Sequence, residues 1–252
     1  MSLWAAKRKL VYGGIFVVVI LIGVGVPTFF FLYEAPTCFD GKQNGTETGI
    51  DCGGSCRNLC QADKQPPTVL WKRIFQVSKG IYTAVAFVEN RNVMAGAIRV
   101  SYSFKLYDEN SIFIAERRGE TYILPHDTFV VLESGILTQE RIPERIEFEF
   151  TKIPDWLSLP PGPVLAVTSK SLRNEMTVPR LEATVSNTSL VTARDVEVTA
   201  ILYDGRDNAM AAARTYIDEI PKNTSEVAIF TWPNAFLFSP ARIEIVARSF
   251  TE

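Results

Sequence analysis

The sequence predicts a mainly β protein with two tandem Ig-like antiparallel β-sandwiches, preceded by a single transmembrane helix and a small disulfide-rich segment. The first observation is a repeat at an interval of about 96 residues, in which Phe-Lys-Leu-Tyr-Asp at 104–108 returns as Ala-Ile-Leu-Tyr-Asp at 200–204. The second is a run without charged side chains at 10–33, and the third is the confinement of all four cysteines to residues 38–60. A chain of 252 residues accommodates about two domains, and the repeat locates them.

Both copies of the repeat alternate in the manner of a half-buried strand. Large apolar residues alternate with small or polar ones at 100–106, and the run at 196–202 keeps the same parity. This period indicates strands over a core, and several short strands within about 85–90 residues are typical of an Ig-like sandwich. Residues 209–214 are rich in Ala and Met, but we assign them to a strand because their counterpart at 112–115 is strand-like. The expected core positions are Val100, Tyr102, Phe104 and Leu106 in copy one and Val196, Val198, Ala200 and Leu202 in copy two.

The repeated residues also resemble a known domain. Phe-x-Leu-Tyr-Asp at 104–108, an earlier Val-x-Asn turn at 88–90 and Pro125 before a later hairpin are similar to the FxLYD-type sandwich. The layout is also similar to the late-embryogenesis-abundant type 2 sandwich. Copy two departs from the pattern at Ala200, where phenylalanine is expected. The resemblance covers about residues 69–252 and implies surface or envelope modules without catalytic residues.

The polar residues shared by both copies are interpreted as structural. We expect the tyrosines to pack beside the sheet with the hydroxyl at its edge, and the aspartates and asparagines to organise turns. These residues are Tyr107 and Tyr203, Asp108 and Asp204, and Asn90 and Asn187.

Residues 10–33 are long enough to cross a membrane, since a helix of this length extends roughly 36 Å against about 30 Å of hydrocarbon. A cleaved signal peptide has a shorter apolar region that ends in small residues, whereas this run ends in Phe-Phe-Phe-Leu-Tyr at 29–33. We therefore expect an uncleaved anchor. Lys-Arg-Lys at 7–9 precedes the run and Glu34 follows it. The positive-inside rule places the tail of residues 1–9 in the cytoplasm and everything after Tyr33 outside.

The four cysteines predict two disulfides within a stalk of residues 34–65. An even number of clustered cysteines outside a membrane is typical of a disulfide framework, and three pairings are open. Zinc is the competing interpretation, but the spacings of 13, 3 and 3 residues do not match the paired halves of a zinc ribbon. The Gly, Asp and Cys pattern of residues 38–60 resembles a cysteine-rich box of secreted and surface proteins, often of bacteria. The cysteines are Cys38, Cys52, Cys56 and Cys60.

The same segment contains oxygen donors of the type that Ca²⁺ prefers, with Gly41 and Gly45 allowing tight turns. The spacing is not that of an EF-hand. The competing interpretation is that these residues form Asx-turns that cap a knotted loop. The candidate calcium ligands are Asp40, Asn44, Glu47 and Asp51, and no other cofactor is expected.

The connection between the predicted sandwiches, residues 154–163, is stiffened by prolines and carries Trp156, Leu157 and Leu159. We interpret these three apolar residues either as contacts that join the two sandwiches or as a surface for a protein partner. The sandwiches themselves are placed at 69–153 and 164–252.

The composition argues against catalysis and nucleic-acid binding. His126 is the single histidine, it lies in a predicted turn, and neither a Gly-x-Ser-x-Gly elbow nor a phosphate-binding glycine loop is present. A net charge of −2 and a pI near 5.7 do not suit nucleic acid. We therefore expect a non-enzymatic, single-pass membrane protein that presents two modules for protein interaction or adhesion. The alternatives are a structural subunit of an envelope assembly, such as a secretion or pilus apparatus, and, more distantly, an enzyme.

Overall fold

The computed structural model describes residues 3–33, 35–61, 64–152 and 154–250. Glu34 of the predicted outer flank, Ala62 and Asp63 of the stalk and Ile153 at the end of the first sandwich lie outside the described residues. The chain forms two compact units, Met1–Cys56 and Arg57–Glu252, and each is considered by itself.

The first unit begins with an apolar helix. It runs as α1 (Leu3–Ile20), a π-helical turn (Leu21–Gly25) and α2 (Val26–Leu32). Pro27 at the start of α2 has no N–H and crowds the preceding turn, and a wider π turn accommodates such a residue. The candidate membrane span Lys7–Leu32 has 26 residues, is apolar after Lys-Arg-Lys at 7–9, and its apolar window is not buried within the chain. Its length and composition suit a membrane anchor or a signal sequence.

The second unit is built from antiparallel strands. In copy one these are β1 (Thr68–Ser78), β2 (Ile81–Glu89), β3 (Ala95–Tyr107), β4 (Phe113–Ile123), β5 (Thr128–Leu137) and β6 (Arg145–Phe150). The short β7 (Leu157–Ser158) pairs with the beginning of β3. In copy two the strands are β8 (Leu165–Arg173), β9 (Arg180–Asn187), β10 (Ala193–Tyr203), β11 (Ala209–Ile220), β12 (Ser225–Thr231) and β13 (Arg242–Arg248). The predicted mainly β fold class is confirmed.

Both copies have the same topology. Copy one has sheet A in the order β1-β2-β5 and sheet B in the order β4-β3-β6. Copy two has sheet C in the order β11-β10-β13 and sheet D in the order β12-β9-β8. Strands β1 to β6 of copy one correspond in chain order to β8 to β13 of copy two. Sheet A is therefore equivalent to sheet D, and sheet B to sheet C, so the repeat is a duplicated sandwich.

Each sandwich has its own apolar core, and the parity prediction is confirmed. Val100, Tyr102, Phe104 and Leu106 are all at most 3% exposed and lie in the core between sheets A and B. Val196, Val198, Ala200 and Leu202 are fully buried between sheets C and D. The alternation alone decides this, because a slip by one residue would turn the opposite set of side chains inward.

A third apolar cluster joins the two sandwiches face to face. It is formed between the outer face of sheet A and the outer face of sheet C, so the four sheets stack in the order B, A, C, D. Its buried members are Val85, Val130, Leu132, Ile201, Tyr203, Ala209 and Ala212. Strands β2 and β10 are therefore buried on both faces, which explains their nearly continuous burial.

Candidate functional site

The cysteine-rich segment is held by disulfides, as predicted. Cys38 and Cys56 are bonded to each other, and Cys52 and Cys60 are disulfide-bonded as well. Among the described residues there is no free cysteine. All four sulfurs are thus oxidised, and none offers a thiolate to a metal ion.

The four predicted calcium ligands form hydrogen bonds within their own loop. Asp40 Oδ2 accepts a hydrogen bond from Asn44 Nδ2 at 2.8 Å, and this contact is the main reason why the pKa of Asp40 is lowered. Asp51 Oδ1 accepts from the Asp40 N–H at 3.0 Å, and Glu47 Oε2 accepts from the Asn44 N–H at 3.2 Å. Asn44 Oδ1 is buried and has no hydrogen-bond partner within the described chain. These contacts are those of turn-capping residues.

Within the described residues, the ligand atoms of Asp40, Glu47 and Asp51 do not gather at one point. The group of titratable side chains within 4.8 Å of one another is Cys38, Glu47 and Cys56, whose two sulfurs are joined to each other. Glu47 Oε1 lies 3.3 Å from Cys56 Sγ, a sulfur that carries no proton to donate. Calcium binding by this segment stays a prediction.

The repeated asparagines form hydrogen bonds that hold the loops at one end of each sandwich. Asn90 is 1% exposed and donates from Nδ2 to the carbonyl oxygens of Ala95 (2.8 Å) and Leu124 (2.7 Å). Asn187 is 0% exposed and donates to those of Val191 (2.8 Å) and Ile220 (2.9 Å). A buried carbonyl without a donor costs free energy, so these asparagines are structural.

The repeated Tyr-Asp pair is structural in both copies as well. Asp108 Oδ1 accepts from the N–H groups of Asn110 and Ile112, and Asp204 Oδ1 accepts from those of Arg206 and Asn208. Each tyrosine donates to a glutamate on the neighbouring strand, with an arginine over its ring. Burial and the hydrogen bond to Glu244 raise the pKa of Tyr203 to about 12.

The connecting segment packs against the first sandwich. Trp156 is 3% exposed and belongs to the core between sheets A and B. Leu159 is 5% exposed, and a Cβ at Gly96 would lie only 2.7 Å from its Cδ1. Leu157 is half-buried and pairs with Gly96 through β7. Trp156 and Leu159 thus pack into the chain and offer no surface to a partner in this conformation.

A polar cavity of about 270 Å³ lies beside the joint between the sandwiches. Arg248 and Glu197 form a buried ion pair there at 2.9 Å, and Arg248 also donates to Thr121 Oγ1 and to the Tyr122 carbonyl oxygen. The Tyr122 hydroxyl is buried without a partner among the described residues, and burial raises its pKa. Because the guanidinium of Arg248 bridges both copies, this network fixes how sheet C lies on the first sandwich.

A second surface feature is a largely apolar groove, which adjoins this polar cavity at Arg214 and Tyr216. It consists of two adjoining cavities of about 290 and 310 Å³, which share Val77, Ala212, Trp232 and Pro233. Residues of strand β11 line both cavities. Sequence reasoning did not predict this groove, since its walls come from β1, from β11 and from the loop after β12. The exposed Leu237 and Phe238 in that loop are the one signal that pointed to it.

Comparison with known proteins assigns no family. No protein-family model matches the chain, and no curated protein matches it. Among solved structures, the chain has a distant likeness to the crystal structure of red sea bream transglutaminase, with 12% sequence identity and a TM-score of 0.22. The likeness covers 71% of this chain and 29% of the transglutaminase chain, so the chain spans less than a third of that protein.

Proposed function

We propose that the protein is a single-pass membrane protein that presents its two sandwiches outside the cytoplasm as a non-catalytic module for protein interaction. The observation that carries this proposal is the apolar helix with no buried side chains, followed directly by a segment crosslinked by disulfides. A soluble core helix would be buried against its neighbours. Disulfides persist in oxidising compartments, which favours an outside location for the segment that follows the helix.

The second unit suits an interaction module rather than a flexible array. Its two sandwiches share an apolar cluster, and Arg248 of copy two donates hydrogen bonds to Thr121 and Tyr122 of copy one, so they present one continuous surface. The FxLYD-type and late-embryogenesis-abundant type 2-like resemblance, which implies surface modules, agrees with this role.

The orientation is tested by adding protease to spheroplasts. Since Lys-Arg-Lys at 7–9 is expected to stay inside, the protease should remove most of the 28.2 kDa chain. A chain that stays intact while a known external domain is digested contradicts the orientation. Mass spectrometry of the mature protein separates an anchor from a signal sequence, because an anchor retains residues 10–33.

The function is tested by mild crosslinking on intact cells, followed by purification and mass spectrometry. A protein partner crosslinked to the region after Tyr33 supports the interaction module. A fixed multi-subunit set in constant ratio would instead assign the chain to an envelope assembly. The absence of any crosslinked protein, with a control surface protein captured, contradicts the proposal.

A further inference from the structure

Strand β11 presents a free backbone edge to the apolar groove. Among the described strands it pairs with β10 alone, so alternate N–H and C=O groups point away from its sheet. Ala211, Ala212 and Ala213 all line the groove, although successive side chains of a strand point to opposite faces. A cavity that touches consecutive residues lies beside the edge of the strand, not over one face. Ala211 and Ala212 are each only 7% exposed, so this edge is reached from within the groove.

One part of the groove is mainly apolar and is exposed at its rim, whereas Thr83, Ser134 and Arg214 line the adjoining part. Phe75, Met210 and Phe236 line its interior. Leu237 and Phe238 form the rim and are 86% and 70% exposed. Ala212 and Leu132 line the groove and also belong to the apolar joint, so the groove continues an interface that the chain already forms.

A buried donor in the groove lacks an acceptor. Trp232 is 8% exposed, lines both cavities, and its Nε1–H has no hydrogen-bond partner in the described part of the chain. A buried N–H without an acceptor is costly and rare. A carbonyl oxygen from a bound segment would satisfy it.

The matching edge in copy one is protected. Strand β4 carries Glu116 and Arg117 where β11 carries Ala212 and Ala213, as the register against β3 and β10 shows. Charged side chains on an edge strand prevent another strand from pairing with it. Copy two carries alanine at these two positions, and Arg214, the next residue of β11, also lines the groove.

We propose that this groove binds an extended, apolar peptide segment of a partner protein, which adds to the free edge of β11 as a further strand and offers a carbonyl oxygen to Trp232 Nε1–H. This inference rests on the proposed interaction function and names its surface. Backbone hydrogen bonds to β11 provide affinity, and alternate side chains of the peptide enter the apolar groove.

The test uses the full chain in nanodiscs and an array of synthetic peptides in which Val, Leu or Phe alternates with Thr or Ser. We expect some of these peptides to bind and to shift the indole N–H resonance of Trp232, assigned with Trp232→Phe. N-methylation of the bound peptide should weaken binding about tenfold at alternate positions and leave the intervening positions unaffected, because only every second amide faces β11.

Two rim substitutions should weaken peptide binding, and a third serves as the matched control. Leu237→Asp and Phe238→Ser place polar groups at the rim, and each should cost about a factor of ten in affinity. Leu190→Asp changes a side chain that is 84% exposed in the same sandwich but does not line the groove, so binding should be unchanged. Equal thermal unfolding of the three variants shows that the fold is retained.

Several outcomes overturn the inference. If none of the peptides binds at millimolar concentration, the inference is wrong. Binding that is insensitive to N-methylation at every position indicates an apolar occupant without strand pairing. A concentration-dependent dimer that Leu237→Asp abolishes indicates a second copy of the chain as occupant. If crosslinked partners persist with Leu237→Asp and Phe238→Ser, the groove is excluded and the interaction function remains.

Discussion

The two copies of the sandwich share one strand order but use their equivalent sheets differently. The outer face of sheet B in copy one carries Lys105, Glu116 and Glu149, whereas the equivalent positions of sheet C in copy two carry Ile201, Ala212 and Val246. Lys105 and Glu149 form an ion pair in solvent at 2.6 Å. Ile201 is fully buried and Ala212 is 7% exposed in the joint. The same backbone thus supports a solvent face in one copy and an interface in the other.

The comparison shows that duplication did not create a symmetric pair. Sheet A of copy one meets sheet C of copy two, and these are not equivalent sheets of the repeat. Each copy therefore has apolar residues on a different outer face. In sheet A these residues include Val85, whose counterpart in copy two is the charged Glu182. A heterologous contact of this kind requires two separate sets of substitutions.

The largest difference expected between the copies concerns Phe104 and Ala200. Phe104→Ala should lower the free energy of unfolding by about 3–5 kcal/mol, because it leaves a cavity in the core of copy one. Ala200→Phe should cost less, about 1–3 kcal/mol, because it overpacks a core where Phe230 and Trp232 already supply volume. Urea denaturation of both variants measures the difference. A neutral Phe104→Ala would contradict the assigned core.

The buried ion pair of copy two should be the next most sensitive site. Arg248→Met leaves Glu197 with Arg214, 3.4 Å away, as its one ion-pair partner among the described residues, and should cost about 3–5 kcal/mol. The equivalent residue of copy one, Thr151, is exposed, and Thr151→Ala should change stability by less than about 0.5 kcal/mol.

A double variant sharpens that prediction. Arg248→Met combined with Glu197→Gln should recover much of the lost stability, since no unpaired charge is then buried. Denaturation by urea, followed by circular dichroism, compares the single and double variants. Equal losses in both would show that packing, not charge, causes the effect.

The asparagine contacts should stabilise both copies. Asn90→Ala removes a donor from the buried carbonyl groups of Ala95 and Leu124, and Asn187→Ala removes one from that of Ile220, at about 1–3 kcal/mol for each such carbonyl. The Val191 carbonyl keeps the Ser189 hydroxyl as a donor. Hydrogen exchange should locate the loosened loops at the same end of each sandwich. A large effect in one copy alone would show that the asparagines have different roles.

The smallest expected effect concerns Asp127, whose counterpart in copy two is Asn223. Burial raises the pKa of Asp127 above its ordinary value of 3.8, so the folded state retains the proton to a higher pH than the unfolded state. Stability therefore falls as pH rises from 3.8 through the folded pKa and stays lower above it. Asp127→Asn should stabilise the protein at neutral pH and have no effect well below pH 3.8.

Urea denaturation over a series of pH values measures this effect. A gain that is the same at every pH would show that the titration of Asp127 does not contribute. The exposed His126 next to it provides a control, since His126→Gln changes a neighbouring side chain that faces solvent.

Some features of the joint between the sandwiches could be predicted from the sequence. The apolar run of β2 lacks the polar alternation of its counterpart β9, as a strand buried on both faces should. Ile201 and Val246 likewise break the polar parity that Lys105 and Glu149 keep. These departures between copies indicate buried outer faces, but they do not indicate which face meets which.

The sequence by itself determined the apolar helix, the oxidised cysteines, the duplication of the β domain and the inward parity of its central strands. These depend on local spacing, because strand geometry alone sends alternate side chains to opposite faces. Only the tertiary structure decided that sheet A packs on sheet C, that Trp156 enters the first core and that Trp232, beside the edge of β11, has no acceptor among the described residues. Each of these depends on apolar surface contributed by strands and loops far apart in the chain. The spacing of residues within one strand does not predict how such surfaces meet.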